Sequence, residues 1–255
     1  MKRPGVKTLA VVAAAAALTA LACTRADAAN KPQPLSAKFK PLTGAKAART
    51  AAEIQDTLEA AAKGINSVYG TGTIENEFIR RKNVKEFSFW IKKPGKLRLE
   101  FTSPEDVRGV VMMTDGKTFW NHIPAMNKTY KVDLKQGGFE GRDKPLQKEL
   151  GLLTALVNTP LERKAFWKKF EIVPLGDDAV DGRECYVVEF RTRAEDGKKN
   201  KAQQEGLFNQ YLWIEKESGI TRQIELLVFG APELVKMKTI ELNVEIGDAL
   251  FSLGQ

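Results

Sequence analysis

Cysteine and histidine are almost missing from this chain of 255 residues, which has two cysteines, Cys23 and Cys185, and one histidine, His122. A lone histidine cannot build a His-rich metal centre, and two thiols cannot make a disulfide framework. Several sequence patterns are absent as well: the phosphate-cradling G-x-x-x-x-G-K-[ST] and G-x-G-x-x-G loops, the G-x-S-x-G serine elbow and the C-x-x-C redox pair. The acidic pairs Glu105-Asp106 and Asp177-Asp178 read as solvated turns, not as a general acid and base. Cys185, flanked by Glu184 and Tyr186 in an alternating stretch, reads as a small residue packed in a strand. With no nucleophile motif beside His122, the chain is expected to be a binding protein and not an enzyme, with no catalytic residue, metal or cofactor.

Long apolar runs are also lacking. The longest spans residues 9–22, interrupted by Thr19, which is short of the roughly 20 residues that cross a bilayer. It follows Lys2, Arg3 and Lys7 and precedes Ala26-Asp27-Ala28, the layout of a secretory signal over residues 1–28. The formal charge of +8 would suggest a phosphate partner. Removal of the leader takes Lys2, Arg3, Lys7, Arg25 and Asp27 with it and leaves +5, so a periplasmic protein that meets anionic membrane surfaces is expected, with no nucleic-acid partner. Cys23, after Ala20-Leu21-Ala22, offers a competing exit: lipidation at Cys23 and anchorage to a membrane. Residues 29–47, with Pro32, Pro34, Pro41 and Gly44 and no apolar period, read as a flexible arm or tether.

What the chain does have is a helix followed by many strands. Ile54, Leu58, Ala61 and Ile65 recur at helical spacing within residues 51–65. From Ser67 the period falls to two. Phe87, Phe89 and Ile91 alternate with polar residues, Leu97, Leu99 and Phe101 do the same, and Pro94-Gly95 marks the turn between them. Further strands are expected at residues 107–113, 117–122, 128–134, 170–175, 184–192, 210–215, 221–228 and 235–244. One helical interlude carries Leu146, Leu150, Leu153 and Val157 on one face, and Thr159-Pro160-Leu161-Glu162 opens another. Residues 136–142 and 194–206 read as exposed loops.

The stretch Trp90-Ile91-Lys92-Lys93-Pro94-Gly95-Lys96-Leu97-Arg98, followed by Thr114-Asp115-Gly116-Lys117-Thr118-Phe119-Trp120 and Pro124, resembles the periplasmic lipoprotein carriers of the LolA/LolB superfamily. The tail Asp248-Ala249-Leu250-Phe251-Ser252-Leu253 is similar to that family's final strand. The resemblance covers residues 48–255 as a single lipid- or lipoprotein-binding domain. It implies a mainly β fold: an unclosed, strongly curved antiparallel sheet, a half-barrel, whose apolar face is covered by an α-helical lid.

It also implies a function. Acyl chains would lie against Phe87, Phe89, Ile91, Leu97, Leu99, Phe101, Leu146, Leu150, Leu153 and Val157, and the carrier would sort lipoproteins or lipids to the outer membrane. Its partners would be acylated lipoproteins or lipids, an inner-membrane lipoprotein-releasing transporter and an outer-membrane acceptor. An arginine of the family, which helps to hold the lid shut, corresponds to Lys93, a point charge where the family has a planar fork. The alternative within the same resemblance is an anchored lipid-sensing regulator of envelope stress.

Overall fold

Period-two apolar sequence from Ser67 onward commits the chain to strands, and the order in which they pair yields two antiparallel meanders. The computed structural model describes residues 34–78, 81–133, 170–192, 209–228 and 231–252. The first meander contains β1 (Ser67–Phe78), β2 (Arg81–Lys92), β3 (Lys96–Ser103), β4 (Val111–Thr114), β5 (Thr118–Ile123) and β6 (Lys128–Asp133). The second contains β7 (Phe170–Val180), β8 (Arg183–Thr192), β9 (Asn209–Glu215), β10 (Thr221–Val228) and β11 (Ala231–Leu242). They join where the first strand pairs with the last, giving the order β6-β5-β4-β3-β2-β1-β11-β10-β9-β8-β7. Among the described residues strands β6 and β7 each pair on one side only, and the sheet of 11 strands is not closed into a barrel. The mainly β, unclosed fold that the resemblance implies is the fold observed.

Before the sheet comes the helix α1 (Gly44–Gly64), with Ile54, Leu58 and Ala62 buried at intervals of four. It begins earlier than the expected residue 51 because Ala45, Ala47 and Ala48 are strong helix formers that extend it past its packed face. Ile54 and Leu58 lie in one apolar cluster with Phe87, Phe89, Ile91, Leu97, Leu99 and Phe101 from the first meander and with Val188, Leu212, Ile214, Ile224 and Val235 from the second. Because side chains alternate across a strand, their neighbours Val187 and Trp213 point the other way. These form a second cluster, with Leu175 and Cys185, against which Phe39 packs.

Four expectations are corrected. The segment 34–42, read as part of a flexible arm, contains a 3₁₀ helix at Leu35–Lys38 and is tied to the second meander by backbone and side-chain hydrogen bonds. Asp177 and Asp178 lie in β7, opposite Tyr186 and Cys185, and not in a turn. The reversal comes later, at Asp181 (φ 50°) and Gly182 (φ 77°), where two left-handed residues match the twist of the hairpin. The strand expected from residue 107 starts at Val111, since Val107 N donates to Pro104 O and Val110 N to Val107 O in successive turns.

Finally, Asp248–Phe251 is a 3₁₀ helix and not a closing strand. Strands β2 and β3 are paired on both sides and leave no edge for it. The tail is held against their side chains instead: Lys92 and Lys96 reach the Asp248 carboxylate at 2.6 and 2.7 Å, Arg98 donates to Leu250 O at 3.3 Å, and Phe251 is buried. The expected helices around 146–157 and from Thr159, the loops 136–142 and 194–206, and residues 1–33 with Cys23 lie outside the described residues.

Candidate functional site

The C-terminal half of α1 lies over the join between the two meanders, and a cavity of about 50 Å³ remains beneath it. Leu58, Ala61, Ala62 and Ile65 form its roof, Phe89 and Ile91 of β2 and Met237 and Ile240 of β11 its floor, and Gly219-Ile220-Thr221 one side. The volume admits a few waters, whereas ligand pockets run to roughly 300–1,000 Å³. As it stands, the cavity is too small for a ligand of ordinary size.

Of the six strand residues expected to line a lipid site, all are buried on the face that α1 covers, at 0–8% exposure. Phe89 and Ile91 border the cavity, while Phe87, Leu97, Leu99 and Phe101 pack within the adjoining cluster. Leu146, Leu150, Leu153 and Val157 lie outside the described residues. Ala62, Ile220, Met237 and Ile240 were not anticipated. The alternation of Val235 and Met237 was visible in the sequence, but that Ile240 turns to the same face as Met237 depends on the register shift opposite Thr71/Gly72.

Polar groups gather at the C-terminal end of α1, where the last carbonyls of a helix lack internal partners. The Lys93 ammonium donates to Ala62 O, Ile65 N to Ala61 O at 3.0 Å, and Asn243 Nδ2 to Gly64 O at 3.1 Å. Asn243 also accepts from Asn66 N at 2.8 Å. A cation at this end favours the helix dipole as well. Lys93 thus reaches the helix from the place the resemblance gives it.

The opposite wall is stiffened by Glu215, whose side chain is 4% exposed. It accepts from Arg183 Nη1 at 2.6 Å, from Arg222 Nη2 at 2.6 Å and from the Ser218 hydroxyl. Burial would raise its pKa, but the bonds from Ser218, Arg183 and Arg222 outweigh that and hold the carboxyl at about 2. This cluster fixes the β9–β10 turn, which brings Gly219 (φ 69°) against the helix: a Cβ there would sit 2.8 Å from Thr57 O and 2.8 Å from the Ala61 Cβ. The expected result for Gly219→Ala is a loss of about 2 kcal/mol in urea unfolding, from the left-handed φ and the clash together. Amides of α1 should show the largest increase in hydrogen exchange; a loss below 0.5 kcal/mol, an order-of-magnitude threshold, would remove this contact from the account.

Neither remaining candidate for chemistry borders the cavity. Cys185 is fully buried on the other face of the sheet, where burial pushes its thiol up to about 11 and leaves it unreactive. His122 Nδ1 lies 3.0 Å from Thr129 Oγ1 across the β5–β6 pair. Among the described residues, no group of three or more His, Cys, Asp or Glu is placed to hold a metal ion.

No protein-family model matches the chain. An uncharacterised protein of Methanocaldococcus jannaschii is 22% identical over 201 residues, covering 78% of this chain and 50% of its own length, so the chain spans about half of that curated relative. Among solved structures, an outer-membrane lipoprotein-sorting protein domain from Vibrio parahaemolyticus matches with a TM-score of 0.46 at 13% identity, covering 80% of this chain and 97% of that one. A LolA superfamily protein from Nitrosomonas europaea matches with a TM-score of 0.40 at 14% identity, covering 78% and 97%. At these identities they are likenesses of fold alone.

Proposed function

We propose that this protein is a non-enzymatic carrier of the bacterial envelope that takes acyl chains of a lipid or lipoprotein between the apolar face of its sheet and α1. The observation that carries the reading is the roof of the cavity: a helix with a narrow apolar stripe lies over one continuous apolar cluster, held at its C-terminal end by polar contacts that can reform. Each methylene buried beneath a displaced α1 gains about 0.8 kcal/mol, so a few methylenes offset the loss of the Lys93 and Asn243 bonds. Such a surface selects weakly among headgroups, which suits a carrier delivering varied acylated cargo to the outer membrane. Its partners on this reading are a lipoprotein-releasing transporter at the inner membrane and an acceptor at the outer one. A periplasmic location after export by residues 1–28 belongs to the same proposal. Were Cys23 lipidated instead, the tether from it would end at Pro34 and not near Ala47, because residues 34–42 are docked on the sheet.

Two measurements test the reading. Lipid extracted from natively purified protein should be present in stoichiometric amount, and a fluorescent fatty acid should be taken up on mixing. Lys93→Met keeps the aliphatic stem and removes the donor to Ala62 O; its uptake rate is expected to rise about threefold to tenfold, the equivalent of losing one hydrogen bond of about 1 kcal/mol. Neither extracted lipid nor probe uptake in the unmodified protein would end the carrier reading.

A further inference from the structure

We propose that residues 34–42 act as a strap which holds α1 closed from the far side of the sheet, so that the helix lifts only when the strap peels away. The proposal rests on the reading of α1 as a moving lid. Phe39 packs in the cluster of Trp213, Val187 and Cys185, its ring edge-on to Trp213 with 6.2 Å between centroids. Ile54 and Leu58, only 15 and 19 residues later, pack in the cluster on the other face. Between them the chain passes β7, the outermost strand among the described residues, where Leu42 N donates to Pro174 O at 2.8 Å.

The anchorage is specific. The carboxylate of Glu225, 1% exposed, accepts from two successive backbone amides, Leu35 N at 2.6 Å and Ser36 N at 2.9 Å. The ammonium of Lys38 meets Asp178 Oδ2 at 2.8 Å, and the same oxygen accepts from Trp213 Nε1 at 3.0 Å. Without the strap, the Glu225 carboxylate on β10 loses both of these donors. With it docked, both carboxylate oxygens are bonded, which offsets the cost of burying the charge.

Coupling to the lid follows from continuity. Thr43 alone separates Leu42 from the first residue of α1, and at the other end Ile65 and Asn66 lead directly into β1, which is paired on both sides. A helix is stiff over 21 residues, so one tied at both ends cannot rise from the sheet in its middle. Lys93 and Asn243 tie the C-terminal end beside an interior strand. The strap ties the N-terminal end, and the helix lifts only when both give.

Hydrogen exchange of the full chain reads this directly. In Glu225→Gln, which keeps the side-chain shape but removes one of the two carboxylate acceptors, amides 54–62 are expected to exchange at least threefold faster while amides 87–101 of β2 and β3 keep their rates. Phe39→Ala, which leaves Glu225 intact, should do the same and decides the matter if the first variant folds poorly. An α1 rate less than threefold above the unmodified protein in both variants overturns the proposal, as does an equal rise in 87–101 in both. Faster exchange of α1 without any uptake of a fluorescent fatty acid supports the strap and counts against the carrier.

Discussion

Gly70→Ala is expected to cost about 3 kcal/mol or more in urea unfolding, and the double variant with Gly72→Ala to leave no cooperative transition. Both glycines lie in β1 at the join between the meanders, with β2 on one side and β11 on the other. A Cβ on Gly70 would fall 2.4 Å from Thr239 O and 2.6 Å from the Phe89 ring; on Gly72 it would fall 2.5 Å from Lys236 O and 2.6 Å from the Phe87 ring. The phenylalanine rings occupy the space of the missing side chains, an arrangement that fills a glycine gap across a strand pair. Because the carbonyls are backbone, shrinking the ring is no remedy, and Gly70→Ala combined with Phe89→Leu should recover little of the loss. A Gly70→Ala protein within about 1 kcal/mol of the original would refute this account of the join. The consequence reaches function, since Phe89 is also the floor of the cavity under α1.

Removing Glu215 should be nearly as damaging. In Glu215→Ala, Arg183 is half exposed and returns to water, but the Arg222 side chain is 14% exposed and stays in place without its partner. Losing one member of a buried pair costs about 3–5 kcal/mol, and here it also loosens the turn that presses Gly219 on α1. The same carboxylate makes stability depend on pH. Its pKa is about 2 in the folded protein against an ordinary value of 4.5, so its stabilisation is fully present above pH 4.5 and is lost as the pH falls from there through about 2. A shift of that size corresponds to about 3 kcal/mol. Urea unfolding at pH 7 and pH 3 should show the original protein losing most of that amount relative to Glu215→Gln, whose side chain does not titrate. Parallel losses in the two proteins would place the acid sensitivity elsewhere. Asp248, also held near 2 by Lys92 and Lys96, is solvent-exposed and common to both, so it cancels in the comparison.

How much of this was legible beforehand varies with the range of the interaction involved. Phe87, Phe89, Ile91, Leu97, Leu99 and Phe101 announced a hairpin with one apolar face, because alternation and a Pro-Gly turn are local signals. Lys93 was identified by the motif around it, and its contact with a covering helix was implied by the resemblance, but that this helix is α1 was not. Gly70 and Gly72 were equally visible as a period-two glycine pair, yet their meaning depends on which rings and carbonyls the neighbouring strands bring opposite them. The strap was misread for a related reason. Residues 34–42 carry prolines and no apolar period, the mark of a loose arm, and their order comes from Glu225, Asp178 and Trp213, between about 140 and 190 residues away.

The sequence by itself determined an amphipathic helix followed by a meander of antiparallel strands, since period and turn chemistry act between near neighbours and need nothing distant; that the sheet stays unclosed was implied only by the family resemblance. Tertiary structure alone decided that β1 pairs with β11, that Gly219 and Lys93 meet the same helix from two sides, and that residues 34–42 pass β7 and dock on the sheet face away from that helix. Each of those facts depends on where a residue's partner lies in space. With two cysteines and one histidine, the sequence carries no disulfide framework and no His-rich metal motif that would have disclosed those partners in advance.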